Sequence, residues 1–494
     1  MPTGPADQIP VLEETVALEA ILAPAELIAP IAADPITAPT AGPMTQRRVL
    51  GLALPIIGEN LLQTSVGAVD TFMVAHLGSA AVAGVGAALE IVFFIIAILT
   101  AVDIGATVLV SQAIGAGDRA GANSLARQAV VWGVLLAIPV SIVGYFAAPT
   151  IMSLFATEPD VTANAVTYLR ITAATSTALL LSFICGAVLR GAGDSRTPLY
   201  AAVVANLVNV AVAYGFIFGK FGLPELGLAG SALGAAVGRA VGAALLLALM
   251  AFGHKAISLN GREGWAPSLE IGRRLFRLGI PAAIEQMLIA GGFTSMMAVV
   301  AMIGTSALAA QQIGFTALSI AFLPGFGFAI AATALVGQSI GAKDIAAART
   351  AAAIATRWGV IWMAAGSALY FVFASQVMSV FTQEPAVHDA GVAALRALSM
   401  SLPFWAVWSV AGGGLRGSGD TRTPMIVGAL AVWSAVIIAF VGVRGFDFGL
   451  GAVWLTFLVT VPPAALANAV LMRRRLNRDI ATLAVSSEPL HGVA

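Results

Sequence analysis

The sequence predicts an all-α membrane protein of twelve transmembrane helices, built as two parallel-repeat lobes of six. Three observations carry this: an excess of apolar residues, long uncharged stretches, and a match of the chain to itself at a fixed offset. Of 494 residues, 59% are apolar and only 10% charged, against about 45–50% and about 25% in an ordinary soluble domain. At a mean hydropathy of +0.93 too little polar surface remains to cover a globule, which excludes a soluble enzyme. Twenty-five Lys and Arg balance twenty-five Asp and Glu, so charge offers no ground for nucleic-acid binding. Cys185 is the one cysteine, which excludes an intramolecular disulfide framework and any thiolate cluster. His76, His254, His388 and His491 show no ligand spacing, so neither a metal site nor a cofactor is expected.

Residues 1–44 hold six acidic residues, no basic ones and repeated Pro and Ala. Without a basic start and an apolar run they are no signal peptide, and they read as a disordered cytoplasmic tail. A span needs about 20 mainly apolar residues. Segmenting at charged and Gly/Pro clusters gives spans at 49–76, 82–113, 124–148, 161–188, 198–219, 228–252, 275–302, 307–340, 350–374, 388–413, 425–443 and 449–472. The domains that follow are an N-terminal lobe at 45–255, a hydrophilic linker at 256–270, a C-terminal lobe at 271–475 and a cytoplasmic tail at 476–494. With the amino terminus inside, 20 of the 25 Lys and Arg fall on the cytoplasmic side, Arg190 and Arg416 among them. This bias places both termini in the cytoplasm and the protein in the inner membrane.

The offset of the internal repeat is 226. Leu189-Arg190-Gly191-Ala192-Gly193-Asp194-Ser195-Arg196-Thr197-Pro198 returns as Leu415-Arg416-Gly417-Ser418-Gly419-Asp420-Thr421-Arg422-Thr423-Pro424. Pro55 and Glu59 return as Pro281 and Glu285, and Gln112, Gly115 and Asp118 as Gln338, Gly341 and Asp344. Six spans per half make the repeats parallel, related by an axis along the membrane normal, an arrangement that alternating access uses directly. The two Gly-Asp loops are read as helix ends and caps rather than phosphate cradles: glycine ends one helix, Asp caps the next and Pro opens it.

Leu54-Pro55 through Gly67-Ala68-Val69-Asp70-Thr71, followed by Leu77-Gly78, resembles the opening of transporters of the MATE (multidrug and toxic compound extrusion) family. The Arg-Gly-x-Gly-Asp-x-Arg-Thr-Pro loop in each half is similar to their other hallmark. The resemblance covers about residues 46 to 475. It implies two six-helix lobes in a V, cation-driven export of amphiphilic compounds, a monomer, and a role for the first-span aspartate, Asp70, in cation coupling. A major facilitator motif is not met, because Ala122 and Asn123 stand where its basic pair would follow Gly121.

Intramembrane carboxylates cost about 2.5–3.5 kcal/mol on insertion scales, so they tend to face cavities and to be functional. Asp70 leads; its structural alternative is a simple pair with a buried Arg such as Arg239. Glu59 lies three helical turns earlier on nearly the same face, about 16 Å away. Asp103 faces Ala329 in the repeat and so is not a duplicated feature, whereas Glu90 suits an interface. Glu285 repeats Glu59 and joins Gln63, Gln311, Gln312, Met296 and Phe322 as candidate substrate contacts, since Met and aromatic surfaces suit varied apolar cations. Against the family pattern, Asn209-Val210-Ala211-Val212-Ala213 keeps the fifth-span Asn and lacks its Asp, and the tenth span holds no acid. The coupling ion is H+ or Na+, the reading favouring protons; sodium needs several oxygens, which Asp70, Asn209, Thr172 and Thr175 would supply.

The function that follows is a secondary antiporter, embedded in the lipid bilayer, exporting amphiphilic, cationic drugs or toxic metabolites in exchange for H+ or Na+. A lipid-linked precursor flippase is the alternative, disfavoured by the scarcity of intramembrane Arg and Lys. No Gly-x-x-x-x-Gly-Lys-Ser/Thr motif is present to drive a primary pump, and no His, Cys or Ser grouping suggests an enzyme.

Overall fold

A computed structural model describes residues 43–155, 158–253, 257–262 and 264–486. The expected tail over 1–44 lies outside them except for its last two residues, as do the final residues 487–494. Among the described residues all regular structure is helical: α1 Gln46–Ala75, α2 Ser79–Gly115, α3 Arg119–Ser153, α4 Pro159–Ala174, α5 Ser176–Gly191, α6 Arg196–Phe218 and α7 Leu228–Ala251 form one half. The other half is α8 Leu269–Ala301, α9 Thr305–Gly341, α10 Ile345–Val372, α11 Ala374–Phe381, α12 Pro385–Ser399, α13 Leu402–Gly417, α14 Arg422–Phe446 and α15 Leu450–Ser486.

Eight of these are long and apolar enough to cross a membrane, and three bent pairs bring the number to eleven. The remaining helix, α9, is the repeat mate of α2, and both run for 37 residues. Three expected spans differ from expectation by being broken. The stretch 161–188 bends by 53° between α4 and α5, 350–374 by 73° between α10 and α11, and 388–413 by 46° between α12 and α13. At the first break the Thr175 hydroxyl donates back to the Ile171 and Thr172 carbonyls, a contact that competes with helix continuation. Near the third, Pro403 opens the new helix, where its missing N–H costs nothing. Helix α15 continues into the stretch expected as a tail, to Ser486.

Local chemistry repeats with the sequence. Asp118 caps α3 through the Gly121 N–H and Asp344 caps α10 through the Ala347 N–H, at 2.7 and 2.8 Å. In the Gly-Asp loops Asp194 accepts the Thr197 N–H and hydroxyl, and Asp420 does the same for Thr423. Gly193 and Gly419 precede them at φ 93° and 87°, values that side chains rarely adopt.

Each half has its own apolar core, one around Leu169, Leu180 and Ile184, the other around Trp405, Phe457 and Val432. The first turns of α1 and α8 trade places. Val49–Ile57 packs with Phe328–Val336 of the second half, while Leu275 sits in the core of the first. Gly279 lies against the Ala101 carbonyl so closely that a methyl group there would overlap it.

At the end bearing the Gly-Asp loops, called here the motif end, α2 and α9 meet backbone to backbone. A methyl on Gly115 would overlap the Gln338 carbonyl, and one on Gly341 the Gln112 carbonyl. Two reciprocal bonds close this junction: Gln112 Nε2 donates to the Gly417 carbonyl at 3.1 Å and Gln338 Nε2 to the Gly191 carbonyl at 2.9 Å. The segment expected as a hydrophilic link is fastened to the first half. Ile257 and Leu259 are buried in its core, Asn123 accepts the Ser258 N–H, and Arg127 and Gln128 donate to the Asn260, Gly264 and Ala266 carbonyls.

Close packing at glycine yields a direct test. Gly279→Ala should destabilise the detergent-purified protein by about 1–3 kcal/mol, the usual result of overpacking. Gly51→Ala, with nothing within 4 Å of the new methyl, should leave the thermal unfolding midpoint unchanged or slightly raised.

Candidate functional site

A run of small and polar residues along one face of α1 opens the first lobe. Glu59, Gln63, Val66, Gly67, Asp70, Thr71 and Val74 recur at helical spacing and line a cavity of about 330 Å³. Every residue lining it belongs to the first half of the chain. Tyr168 comes from α4, Ser182, Gly186 and Arg190 from α5, Asn206 and Asn209 from α6, and Arg239 from α7.

Midway along the cavity Asn209 Nδ2 donates to Asp70 Oδ2 at 3.2 Å. Asp70 Oδ1 and Asn209 Oδ1 are buried and accept no hydrogen bond among the described residues. The pair thus presents two free acceptors. Arg239 shares the cavity, yet no carboxylate among the described residues lies within 4 Å of its guanidinium.

Nearer the motif end stands a charged cluster. Arg190 Nη1 donates to both Glu59 oxygens, at 3.3 and 3.5 Å, and Arg190 Nη2 lies 3.8 Å from Asp103 Oδ1. The arginine is 8% exposed. Gly186, one turn earlier on α5, leaves room for it, because a Cβ there would come within 2.9 Å of Arg190 Nη1. The second lobe repeats this pair in the same register: Arg416 Nη1 donates to Glu285 at 2.8 and 3.1 Å. Glu285 is buried.

The repeat fills the two lobes differently. Gly67, Asp70, Leu89, Ile96, Leu179 and Ser182 line the first cavity, and their mates at offset 226 are Phe293, Met296, Phe315, Phe322, Trp405 and Trp408. Those aromatics touch one another. Phe293–Phe315 centroids lie 5.8 Å apart, Phe322–Trp405 5.3 Å and Trp405–Trp408 5.0 Å. Space left open in one lobe is occupied by rings in the other.

The profile of the MatE family matches residues 55–215 and again 281–441, one match in each half. The chain belongs to the MatE family. A "Probable multidrug resistance protein NorM" of Thermotoga maritima is 30% identical over 85% of this chain and 90% of its own. Another of that name from Rhizobium meliloti is 30% identical, covering 89% and 96%. Among solved structures, a MOP-superfamily transporter from Pyrococcus furiosus superposes with a TM-score of 0.83 at 21% identity, covering 89% of this chain and 97% of its own. The fold is therefore the two-lobed, twelve-span fold of MATE structures, and the chain is a multi-pass membrane transporter rather than an enzyme.

Within this MatE fold the expected residues divide. Asp70, Asn209, Glu59 and Gln63 line one cavity. Asp103 reaches the same cluster as Glu59 through Arg190. Thr172 is buried on α4 and is not among the residues lining the cavity. Glu285, Met296 and Phe322 lie in the second lobe, the first paired with Arg416, the second fully buried and the third within the aromatic cluster. Gln311 is buried and Gln312 exposed on α9 of that lobe, and Glu90 is exposed on α2.

Arg190 and Arg416 need correction: they are not loop cations but interior counter-ions, because each guanidinium turns inward onto a carboxylate of the first helix of its half, with Gly186 leaving room beside Arg190. Their signal was present, since Glu59 to Arg190 and Glu285 to Arg416 share one spacing of 131 residues. Asn206 and Tyr168 carry no comparable mark in the sequence.

The 1:1 pair of the second lobe invites a stability measurement. Arg416→Met alone should cost about 3–5 kcal/mol by leaving a buried carboxylate uncompensated, whereas adding Glu285→Met should restore most of the loss. Thermal unfolding in detergent reads both.

Proposed function

We propose that this transporter is a secondary antiporter of the inner membrane, exporting amphiphilic cationic compounds in exchange for protons, with Asp70 and Asn209 at the coupling point. The observation that carries the reading is the Asp70–Asn209 pair, set in a cavity confined to one lobe. A carboxylate held in such a place can be neutralised by a proton or by a cationic cargo, and that exclusivity is the logic of antiport. The multidrug names of the relatives support the cargo class. One charge crossing 100 mV yields about 2.3 kcal/mol, close to a 50-fold gradient of cargo.

Protons fit better than sodium. The cavity that holds Asp70 and Asn209 also holds the cation Arg239, whose charge disfavours a bound metal cation there. Basic residues crowd the motif end, among them Arg47, Arg119, Arg196, Arg274, Lys343, Arg422 and Arg473. That end is therefore read as cytoplasmic, with both termini on that side. A single chain holds the whole cavity, in keeping with a monomer, and no cofactor enters the cycle.

Ethidium accumulation in pump-deficient bacteria tests the reading. Cells with the wild type should accumulate several-fold less dye than vector controls, and Asp70→Asn should return accumulation to the control level. Equal export by both would make Asp70 structural. A membrane-inserted wild type that matches the vector would turn the reading toward a lipid or narrow metabolite cargo.

A further inference from the structure

The internal repeat supplies a comparison that no mutagenesis could match. In the second lobe one guanidinium, Arg416, meets one carboxylate, Glu285. In the first lobe the equivalent guanidinium, Arg190, meets two, Glu59 and Asp103. The mate of Asp103 is Ala329. One cluster balances and the other carries an excess negative charge.

Geometry sharpens the imbalance. Arg190 commits both bonds of Nη1 to Glu59, while Asp103 keeps only a 3.8 Å ion pair. Asp103 Oδ1 is buried with no hydrogen bond, and so is Arg190 Nε. The charged side chains facing Asp103 are Glu59 from α1 and Arg190 from α5. Helix α8, which crosses α2 at Gly105 and Gly279, brings no carboxylate there, because Glu285 is held by Arg416. From α3, Arg127 is occupied by the Asn260 carbonyl. A metal cation would stand beside the guanidinium and be repelled, whereas a proton adds to a carboxylate oxygen without displacing anything.

The cluster also touches the junction of the lobes. Arg190 is followed by Gly191, whose carbonyl takes the Gln338 bond from the second lobe. Gly191 itself packs on the Thr107 carbonyl, one turn beyond Asp103 on α2. The guanidinium that Asp103 faces thus lies one residue from one of the two bonds that close the motif ends.

We infer that the Glu59–Arg190–Asp103 cluster is a second proton site, separate from Asp70, whose occupancy sets whether the motif ends of the two lobes stay closed. With one proton shared by Glu59 and Asp103 the cluster is neutral, as its counterpart in the second lobe always is, and the closed junction is favoured. Losing that proton leaves a buried negative charge that water relieves when the ends part. The inference deepens the antiport reading and rests on it for its transport consequence, but its test needs no cargo.

The test uses the full chain in lipid nanodiscs, with Cys185→Ala and spin labels at Ala116→Cys and Ala342→Cys beside the junction. The distance distribution is recorded from pH 5 to pH 9. The parent should shift toward separated ends as pH rises, by at most about tenfold in the open-to-closed ratio per pH unit, the ceiling for one proton. Asp103→Ala and the isosteric Asp103→Asn should lose that shift, and Asp70→Asn should keep it. Ala329→Asp, which gives the second lobe the same third charge, should add a further pH-dependent step. A flat parent profile overturns the inference, as does a shift that survives both Asp103 variants or an Ala329→Asp profile matching the parent. Failure of the antiport reading would appear elsewhere, in ethidium accumulation, with these distances unaffected.

Discussion

A charge held inside a membrane-spanning bundle needs an opposite charge beside it, and that requirement organises both lobes. Glu59–Arg190 and Glu285–Arg416 each join the first helix of a half to the helix that ends in the Gly-Asp loop. Such pairs add little net stability over well-packed apolar residues. Their value is in register: a slip of α1 against α5 would strand two charges at once. The loop glycines, the capping Asp194 and Asp420, and the meeting of α2 with α9 all lie within a few residues of these pairs.

Duplication then allowed the two copies to diverge. Both halves share caps and an ion pair at matched positions, yet one encloses open space and the other is filled by Phe293, Trp405 and Phe457. At matched positions the smaller side chains of Gly67, Leu89, Ile96, Leu179 and Ser182 are exchanged for aromatic rings. A packed lobe offers a stiff partner against which the hollow lobe can move, since interiors at crystal-like density transmit strain rather than absorb it.

The twelve spans, the two lobes and the repeat were legible because hydropathy and a gapless offset are properties of the chain itself. Asp70 was legible for a related reason, as a carboxylate amid apolar neighbours stands out. The inward turn of Arg190 was hidden, because charge counting assigns a basic residue at a helix end to the loop, and only the space beside Gly186 reverses that. Glu285, Met296 and Phe322 read as substrate contacts by residue type alone. Which lobe is hollow depends on comparing paired positions, Asp70 with Met296 and Leu179 with Trp405, rather than on judging each residue singly. The three broken spans were invisible to hydropathy, which continues across a bend.

The fastened linker has a mechanical consequence. Residues 257–268 look like slack cord in composition, yet their backbone is tied to α3 by Asn123, Arg127 and Gln128, and the Trp132 indole holds Ser268 at the threshold of α8. The cord is therefore wound onto the first lobe before it reaches the second. A swing between lobes is borne by α8 and α1, each with its first turns planted in one body and its shaft in the other, so the joint permits tilting and resists drifting apart.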